Sequence, residues 1–343
     1  MVRLQITPYQ ETERSQMWRF NSSLLQDVGF KEDLRAQIRL YLETNVSTAP
    51  SAIVAWEAMK AFLRGFIIQY SSHKKKVNTA KLTDLEKRIK NTEAKLKRNI
   101  SESILKELTH LKYEYNIIIS KKTEYLLFRA RQTIFESGDK AGKFLARYIK
   151  QKESKSSVAA VTTGDGSMAT KSREINDAFK KFYINLYTSE STATDKEIMS
   201  FLDKLNLPKL SSSQQEDLDS PISSQEILNA IKALPAGKSP GQDGFTAEFF
   251  KCYAEDLLPL FENMLTEAFE FGKLPPSLNQ AIITLILKKE KDPTDCKSYR
   301  PISLISVDCR LLSKILANRL DRTLHLSIRT KWALLDKEIL LIM

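Results

Sequence analysis

Between the apolar run Ala281 to Leu287 and the short run Tyr299 to Leu304 lie Lys288, Lys289, Lys291 and Lys297, and Arg300 stands on the returning side. Ammonium and guanidinium groups donate charge-assisted hydrogen bonds to phosphate oxygens, so this cluster suits a phosphate ligand. A second set of cations comprises Lys74, Lys75, Lys76, Lys87, Arg88, Lys97, Arg98, Lys121, Lys122, Arg129 and Arg131. Residues 71–152 carry 21 basic and 9 acidic side chains, a net of +12 (21 − 9), against +11 for all 343 residues. The whole positive excess therefore sits in one segment. Clustered cations form an electrostatic footprint for polyanions. Contacts of this kind to phosphates give affinity for RNA and DNA without sequence preference. The other reading is a helical arm with a solvated basic face, and salt-dependent RNA binding separates the two.

Other chemistries find no residues. The 3 cysteines, Cys252, Cys296 and Cys309, are widely spaced and form no C-x-x-C, which reads as reduced thiols. With His73, His110 and His325 as the histidines, no plausible zinc ligand set exists. Gly237-Lys238-Ser239 resembles the end of a phosphate-binding P-loop, but Lys232 stands where that motif needs its first glycine. No Asp-Asp pair occurs, and Asp243, Asp308 and Asp336 are isolated along the chain. The apolar runs are far too short to span a bilayer. Met1 to Gln10 has no apolar core of signal-peptide length. The expectation is an intracellular chain, nuclear or cytoplasmic, with no membrane partner.

The elements that must position the cations follow from pattern. Ala281 to Leu287 has the length and isoleucine content of a buried strand. Pro301 is tolerable in the second strand only at an edge or bulge, and Pro293 and Asp295 are turn formers. These features predict a β-hairpin with a basic, mobile tip. No proline interrupts Ser51 to Leu207 and no glycine interrupts Phe66 to Ser137, which predicts long helices. The second span is either one helix of roughly 100 Å or a folded-back pair. Leu82, Leu85, Ile89, Leu96, Ile100, Ile104, Leu108 and Leu111 begin with heptad-like steps and then stutter, as a coiled coil can.

Elsewhere, Asp33 to Glu43 offers Leu34, Ile38 and Leu42 on one helical face. Ser51 to Tyr70 offers Ile53, Trp56, Met59 or Lys60, Leu63 and Ile67. Trp18, Phe20 and Trp56 read as core. Ser154 to Thr170, with Gly164-Asp165-Gly166, reads as a turn or flexible crossing, and Ser189 to Asp195 and Leu210 to Ser224 as polar connections. Helices are expected from Ile175 to Tyr187, after the capping sequence Ser223-Ser224-Gln225-Glu226, from Phe249 to Gly272 as one piece, and from Val307 to Leu324. In the last, Leu311, Leu312, Ile315, Leu316 and Leu320 face inward. The fold class is α+β, mostly α-helical, with a small antiparallel hairpin.

Four stretches carry a resemblance. They are Leu234-Pro235-Ala236-Gly237-Lys238-Ser239-Pro240-Gly241-Gln242-Asp243-Gly244-Phe245, Lys291-Asp292-Pro293, Tyr299-Arg300-Pro301-Ile302-Ser303-Leu304, and Lys314 to Leu320. In identity, order and spacing they resemble the fingers subdomain of a reverse transcriptase, in detail the second open reading frame protein of LINE-1-like non-LTR retrotransposons. The resemblance implies a post-endonuclease junction over 1–70, a basic helical arm over 71–153, a helical linker over 154–220, a partial fingers domain over 221–327 and a divergent tail over 328–343. It implies that Lys288 and Arg300 hold the triphosphate of an incoming nucleotide. It also implies that Gly237, Lys238, Ser239, Pro240, Gly241, Asp243 and Gly244 lie close to template.

In the complete enzyme of that family Mg2+ is held by palm carboxylates, one in a strand and two in a Tyr/Phe-x-Asp-Asp turn. Those carboxylates are expected to be missing here, as is the endonuclease, so no catalytic residue, metal ligand or cofactor is assigned to this chain. From Ile328 the sequence departs from the family pattern, which suggests a frame change, a splice or a degenerate copy. Three functions stand: a truncated polymerase inactive alone, a non-enzymatic RNA- and DNA-binding module acting through residues 71–152, and a helical protein-interaction scaffold.

Overall fold

A computed structural model describes residues 17–98, 101–130, 158–190, 193–204 and 210–323. Arg131 and the tail 328–343 lie outside the described residues, as do the side chains of Lys121, Lys122 and Arg129. The described chain is mostly helical, with two antiparallel sheets of two strands each. It forms two compact units, one of residues 1–65 with 159–343 and one of residues 66–158.

In the first unit, α1 (Val28–Asn45) starts at Asp27, whose carboxylate accepts from the Phe30 N–H, and it buries Phe30, Leu34, Ile38 and Tyr41. The third expected core position, Leu42, is half-buried, because Tyr41 turns inward and donates its hydroxyl to the Ala55 carbonyl at 3.1 Å. Helix α2 (Ala52–Arg98) begins in this unit, with Ala55, Trp56, Met59 and Leu63 in the core. It is continuous across residue 70, where the sequence suggests a boundary.

Of the two readings of the polar stretch, the turn is the one found: Gly164-Asp165-Gly166 joins a minimal hairpin of β1 (Val161–Thr162) and β2 (Met168–Ala169). Asp165 organises its turn by accepting from the Ser167 N–H at 3.1 Å and from both hydroxyls of Thr163 and Ser167. Those bonds hold its carboxyl down at about 2. The apolar face of α4 (Ser172–Tyr187) buries Ile175, Phe179 and Tyr183. Two further helices are each started by a capping box: α5 (Asp195–Asp203), which follows the connection read over Ser189 to Asp195, and α6 (Ser212–Asp219), inside the stretch read as a polar connection. The apolar content of α6 is too low to announce it, so local capping makes it legible only in hindsight.

Helix α7 (Ser224–Ala233) carries the expected capping box from Ser223 to Glu226. The expected single helix after residue 249 is two, α8 (Ala247–Cys252) and α9 (Ala254–Phe271), separated by Tyr253 at φ −116° and ψ 25°. Tyr253 is fully buried and its ring lies 5.3 Å from Phe249, so packing overrides helical continuity. Gly272 ends α9 in the left-handed conformation, at the end read from the sequence. Strands β3 (Ala281–Leu287) and β4 (Tyr299–Ile305) follow, then α10 (Val307–Thr323). In α10, Leu311, Leu312 and Ile315 are buried, whereas Leu320 is 51% exposed: Arg319, not Leu320, is the inward residue of the last turn.

The second unit resolves the choice between one rod and a folded-back pair. α2 runs on to Arg98 and α3 (Glu102–Ala130) returns alongside it. Lys112 pairs with Glu93 at 2.7 Å and the Tyr115 hydroxyl donates to Glu86 at 3.1 Å, an antiparallel register. Leu85, Leu108 and Leu111 are buried in the seam.

Candidate nucleotide and nucleic-acid interface

Strands β3 and β4 pair from Ala281 with Ile305 to Leu287 with Tyr299. Directly opposed residues share a face, and faces alternate along each strand. Ile286 and Arg300 are opposed, and two residues further the Lys288 N–H donates to the Ser298 carbonyl at 2.9 Å. Lys288 and Arg300 are therefore diagonal neighbours on one face, a separation of roughly 7–8 Å between backbones in such pairs. Arg300 is exposed, and the Lys288 ammonium donates to the Lys297 carbonyl at 2.8 Å. The geometry brings together the two cations singled out from sequence.

Two expectations about this hairpin change. β3 is not a buried strand: Ile286 is 49% and Leu287 41% exposed, and β4 is the strand it pairs with among the described residues. The tip is not a loose loop. The Tyr299 hydroxyl donates to the Pro293 carbonyl at 2.7 Å, and Asp292 and Asp295 accept from the backbone of Thr294 and Lys297. The Thr162 N–H donates to the Thr294 carbonyl at 2.8 Å, and the Phe179 ring meets Tyr299 edge-on at 5.1 Å. The small hairpin and α4 thus brace the tip, leaving Lys289, Lys291 and Lys297 exposed on it.

The glycine-rich loop lies at the other end of β4. Gly241 presses so closely on the backbone of Ile305 and Ser306 that a side chain has no room, and Gly244, at φ +79°, is equally close to Trp18. The Gly237 N–H donates to Glu248 at 2.6 Å, and Arg310 donates to the Ser239 carbonyl at 2.9 Å. Lys238, Ser239 and Gln242 are exposed, Pro240 is buried, and Asp243 points inward. From Ile305, beside Gly241, to Arg300 is five residues, roughly 17 Å of strand at ~3.4 Å per residue. The loop and the paired cations occupy opposite ends of one hairpin.

Sequence reasoning did not find what Asp243 faces. The Lys60 ammonium lies 2.7 Å from Asp308, which is fully buried, and 3.6 Å from Asp243. Lys60 also donates to Ser277 at 2.8 Å, and the Trp56 indole N–H donates to Asp308 at 3.1 Å. Burial alone would lower the Lys60 pKa, but Asp308 and Asp243 outweigh it and the net shift is upward. Burial would raise Asp308, and Lys60 reverses it, so Asp308 stays ionised. Asp243, pushed up first by burial and then by the Asp308 charge, sits at about 6. The available signal was Lys60 on the inward face of a helix otherwise lined with Trp56 and Leu63. Among the described residues no group of three or more His, Cys, Asp or Glu is placed to hold a metal ion. Asp243 and Asp308 already share a lysine ammonium, so this pair does not fit a divalent cation.

On the helical hairpin, Lys75, Lys76, Lys87, Arg88, Lys97 and Arg98 are exposed on α2, and Lys74 is half-buried. Arg88 makes only a loose 3.9 Å pair with Asp84.

Over 325 residues, 94% of this chain and 24% of the relative, the chain is 27% identical to the Transposon TX1 uncharacterized 149 kDa protein of Xenopus laevis. It is 32% identical over 156 residues, 46% of this chain and 17% of the relative, to a probable RNA-directed DNA polymerase from transposon BS of Drosophila melanogaster. Over 101 residues, 29% of this chain and 11% of the relative, it is 30% identical to the RNA-directed DNA polymerase from mobile element jockey of the same species. The chain spans less than a quarter of the length of these curated relatives. No family model matches it.

Proposed function

We propose, of a chain related to the reverse-transcriptase proteins of non-LTR retrotransposons, that it is the nucleotide- and template-handling part of an RNA-directed DNA polymerase. The observation that carries this reading is the placement of Lys288 and Arg300 as diagonal neighbours on one face of the β3–β4 hairpin. Arginine offers a rigid fork to phosphate oxygens and lysine a point charge, which together suit a triphosphate. The exposed edge of the loop 237–244 would meet template backbone through Lys238 and its free surface, with Asp243 acting from inside to hold the loop's shape. The cations of residues 71–152 would add affinity for RNA or DNA without regard to sequence.

Bond formation is a separate matter. Mg2+ in polymerases of this kind neutralises the leaving pyrophosphate, and neither Asp243 nor Asp308 fits it. The chain by itself is proposed to bind a deoxynucleoside triphosphate and nucleic acid but not to join them.

Titrating the full chain with a deoxynucleoside triphosphate tests the reading. Charge-assisted hydrogen bonds contribute about 1.5–3 kcal/mol, so Arg300→Ala should weaken binding by roughly 10- to 100-fold. Equal binding by wild type and Arg300→Ala would overturn the nucleotide assignment. Primer extension on an RNA template with magnesium should give no product from this chain, and clear product would overturn the division between binding and bond formation.

A further inference from the structure

The apolar seam of α2 fixes the register of its other side chains. Leu82, Leu85, Ile89, Thr92 and Leu96 follow steps of three and four, with Leu85 and Thr92 buried. One flank of that seam carries Glu86 and Glu93, seven apart, and α3 uses both through Tyr115 and Lys112. The other flank carries Lys81, Arg88 and Lys95, also seven apart and all exposed, and Lys74 continues the same step. Seven residues advance about 10.5 Å along a helix, and the face drifts only ~20° per step. From Lys81 to Lys95 is thus a straight row of about 21 Å, and from Lys74 about 31 Å. On α2 itself the acid beside this row is Asp84, paired loosely with Arg88 at 3.9 Å, and α3 carries Glu107 and Glu114 on its own flank of the seam.

We infer that this row is a track for a single-stranded nucleic acid laid along α2. The inference rests on the reading of residues 71–152 as a nucleic-acid contact and goes beyond it in naming the strand form and the residues. Phosphates stacked at ~3.4 Å per nucleotide recur every 10.2 Å at every third position, close to the row's step of ~10.5 Å. A duplex cannot follow the row. Its backbones wind about the axis once in roughly 34 Å, so a straight rod meets each strand once per turn, and most of the cations would face a groove. A single strand is flexible enough to lie along the rod. No aromatic side chain interleaves Lys81, Arg88 and Lys95 to stack a base. The contact is therefore with phosphate alone, and it is indifferent to sequence and sensitive to salt.

Fluorescence anisotropy of the full chain with labelled oligonucleotides tests this. Single-stranded RNA and DNA homopolymers should bind alike, with affinity rising with length to about nine or ten nucleotides and then levelling, since four contacts span three steps of three nucleotides. With three or four phosphates engaged, log affinity should fall against log salt with slope about −2 to −3, or roughly 20- to 60-fold between 50 and 200 mM salt. The triple change K81Q/R88Q/K95Q, on exposed positions flanking the seam, should weaken single-strand binding at least tenfold. The matched change K196Q/K204Q/K251Q, elsewhere on the surface, should leave it within about twofold.

Binding that is lost equally in both triple variants, or a duplex of equal length bound more tightly than the single strand, overturns the track. No binding to any nucleic acid would instead remove the broader reading of residues 71–152. Circular dichroism melts of each variant confirm that the helices persist.

Discussion

Lys60→Met should cost the protein about 3–5 kcal/mol, the usual penalty for removing one partner of a buried ion pair. Methionine keeps most of the lysine stem, so packing against Trp56 is retained and the loss isolates the charge. What remains is Asp308, fully buried, with the indole of Trp56 and its own backbone neighbours but no cation within bonding distance. Asp243 loses the same partner. Since natural domains are stable by only about 5–15 kcal/mol, the variant should be close to unfolded at ambient temperature. Urea denaturation measures this directly, and a loss below about 1 kcal/mol would show that the cluster does not hold the fold.

The same cluster predicts a pH dependence opposite to ordinary acid denaturation. Asp243 titrates at about 6 in the folded chain and at its ordinary value of 3.8 when unfolded. A carboxyl raised in this way contributes stability that is complete below 3.8 and is lost as pH rises through about 6. Asp308 is lowered, so its contribution is present above 3.8 and lost on further acidification. The two opposite trends place maximal stability from this cluster near pH 4, with a decline of roughly 2–3 kcal/mol towards neutrality at ~1.4 kcal/mol per unit. Asp243→Asn should flatten the curve between pH 4 and 7. An unchanged slope in that variant would assign the dependence to other groups.

Arg319→Ala should have a loss of similar size for a different reason. Arg319 is 5% exposed near the end of α10 and spends its donors on five acceptors. Its Nε and one terminal nitrogen grip Glu226 at 2.9 and 2.8 Å, and it caps the carbonyls of Leu218, Ser220 and Pro221. Glu226 meanwhile closes the capping box of α7 by accepting from the Ser223 N–H at 3.0 Å. One guanidinium thus ties the end of α6, the start of α7 and the last helix together. Its loss leaves three carbonyls and a carboxylate without this donor, an expected ~3–5 kcal/mol. Arg319→Lys should recover less than half, because a single ammonium cannot serve the bidentate fork and the carbonyls together. The Arg319 hydrogen bonds also hold the Glu226 carboxyl at about 2. That stability is full above 4.5 and disappears as pH falls through about 2. If Arg319→Lys matches wild type in denaturant, the fork geometry carries nothing.

The hairpin and the paired cations were legible because both rest on local rules. The isoleucine-rich apolar run, the turn residues and the step from Lys288 to Arg300 are all written within about twenty-five residues. The long helices were legible from missing prolines and glycines. Three kinds of feature were not. Partners distant in sequence, such as Lys60 with Asp308 or Arg319 with Glu226, leave no local mark beyond a charge on an apolar face. The short helix α6 depends on capping rather than on an apolar stripe. The break at Tyr253 arises because a buried aromatic residue prefers its pocket to helical dihedrals. Asp243 combines the first and last of these: it lies in a loop that reads as surface, yet its carboxylate is drawn inward by a cation 183 residues earlier.

Pro301 gives the two-stranded sheet a handedness of risk. Lys288 and Ser298 form a hydrogen-bonded pair, so by alternation Leu285 and Pro301 are opposed without a bond between them. The N–H that Pro301 lacks would have pointed outward, to the margin of β4. A strand from another molecule that tried to zip onto that side would find a missing rung in the middle of seven residues. The far margin of β3 has no such gap, and Ile286 and Leu287 beside it are largely bare. Uncontrolled self-association in concentrated solution should therefore begin at β3, and a lysine or proline placed at an outward-facing N–H there is the economical way to keep the chain dispersed.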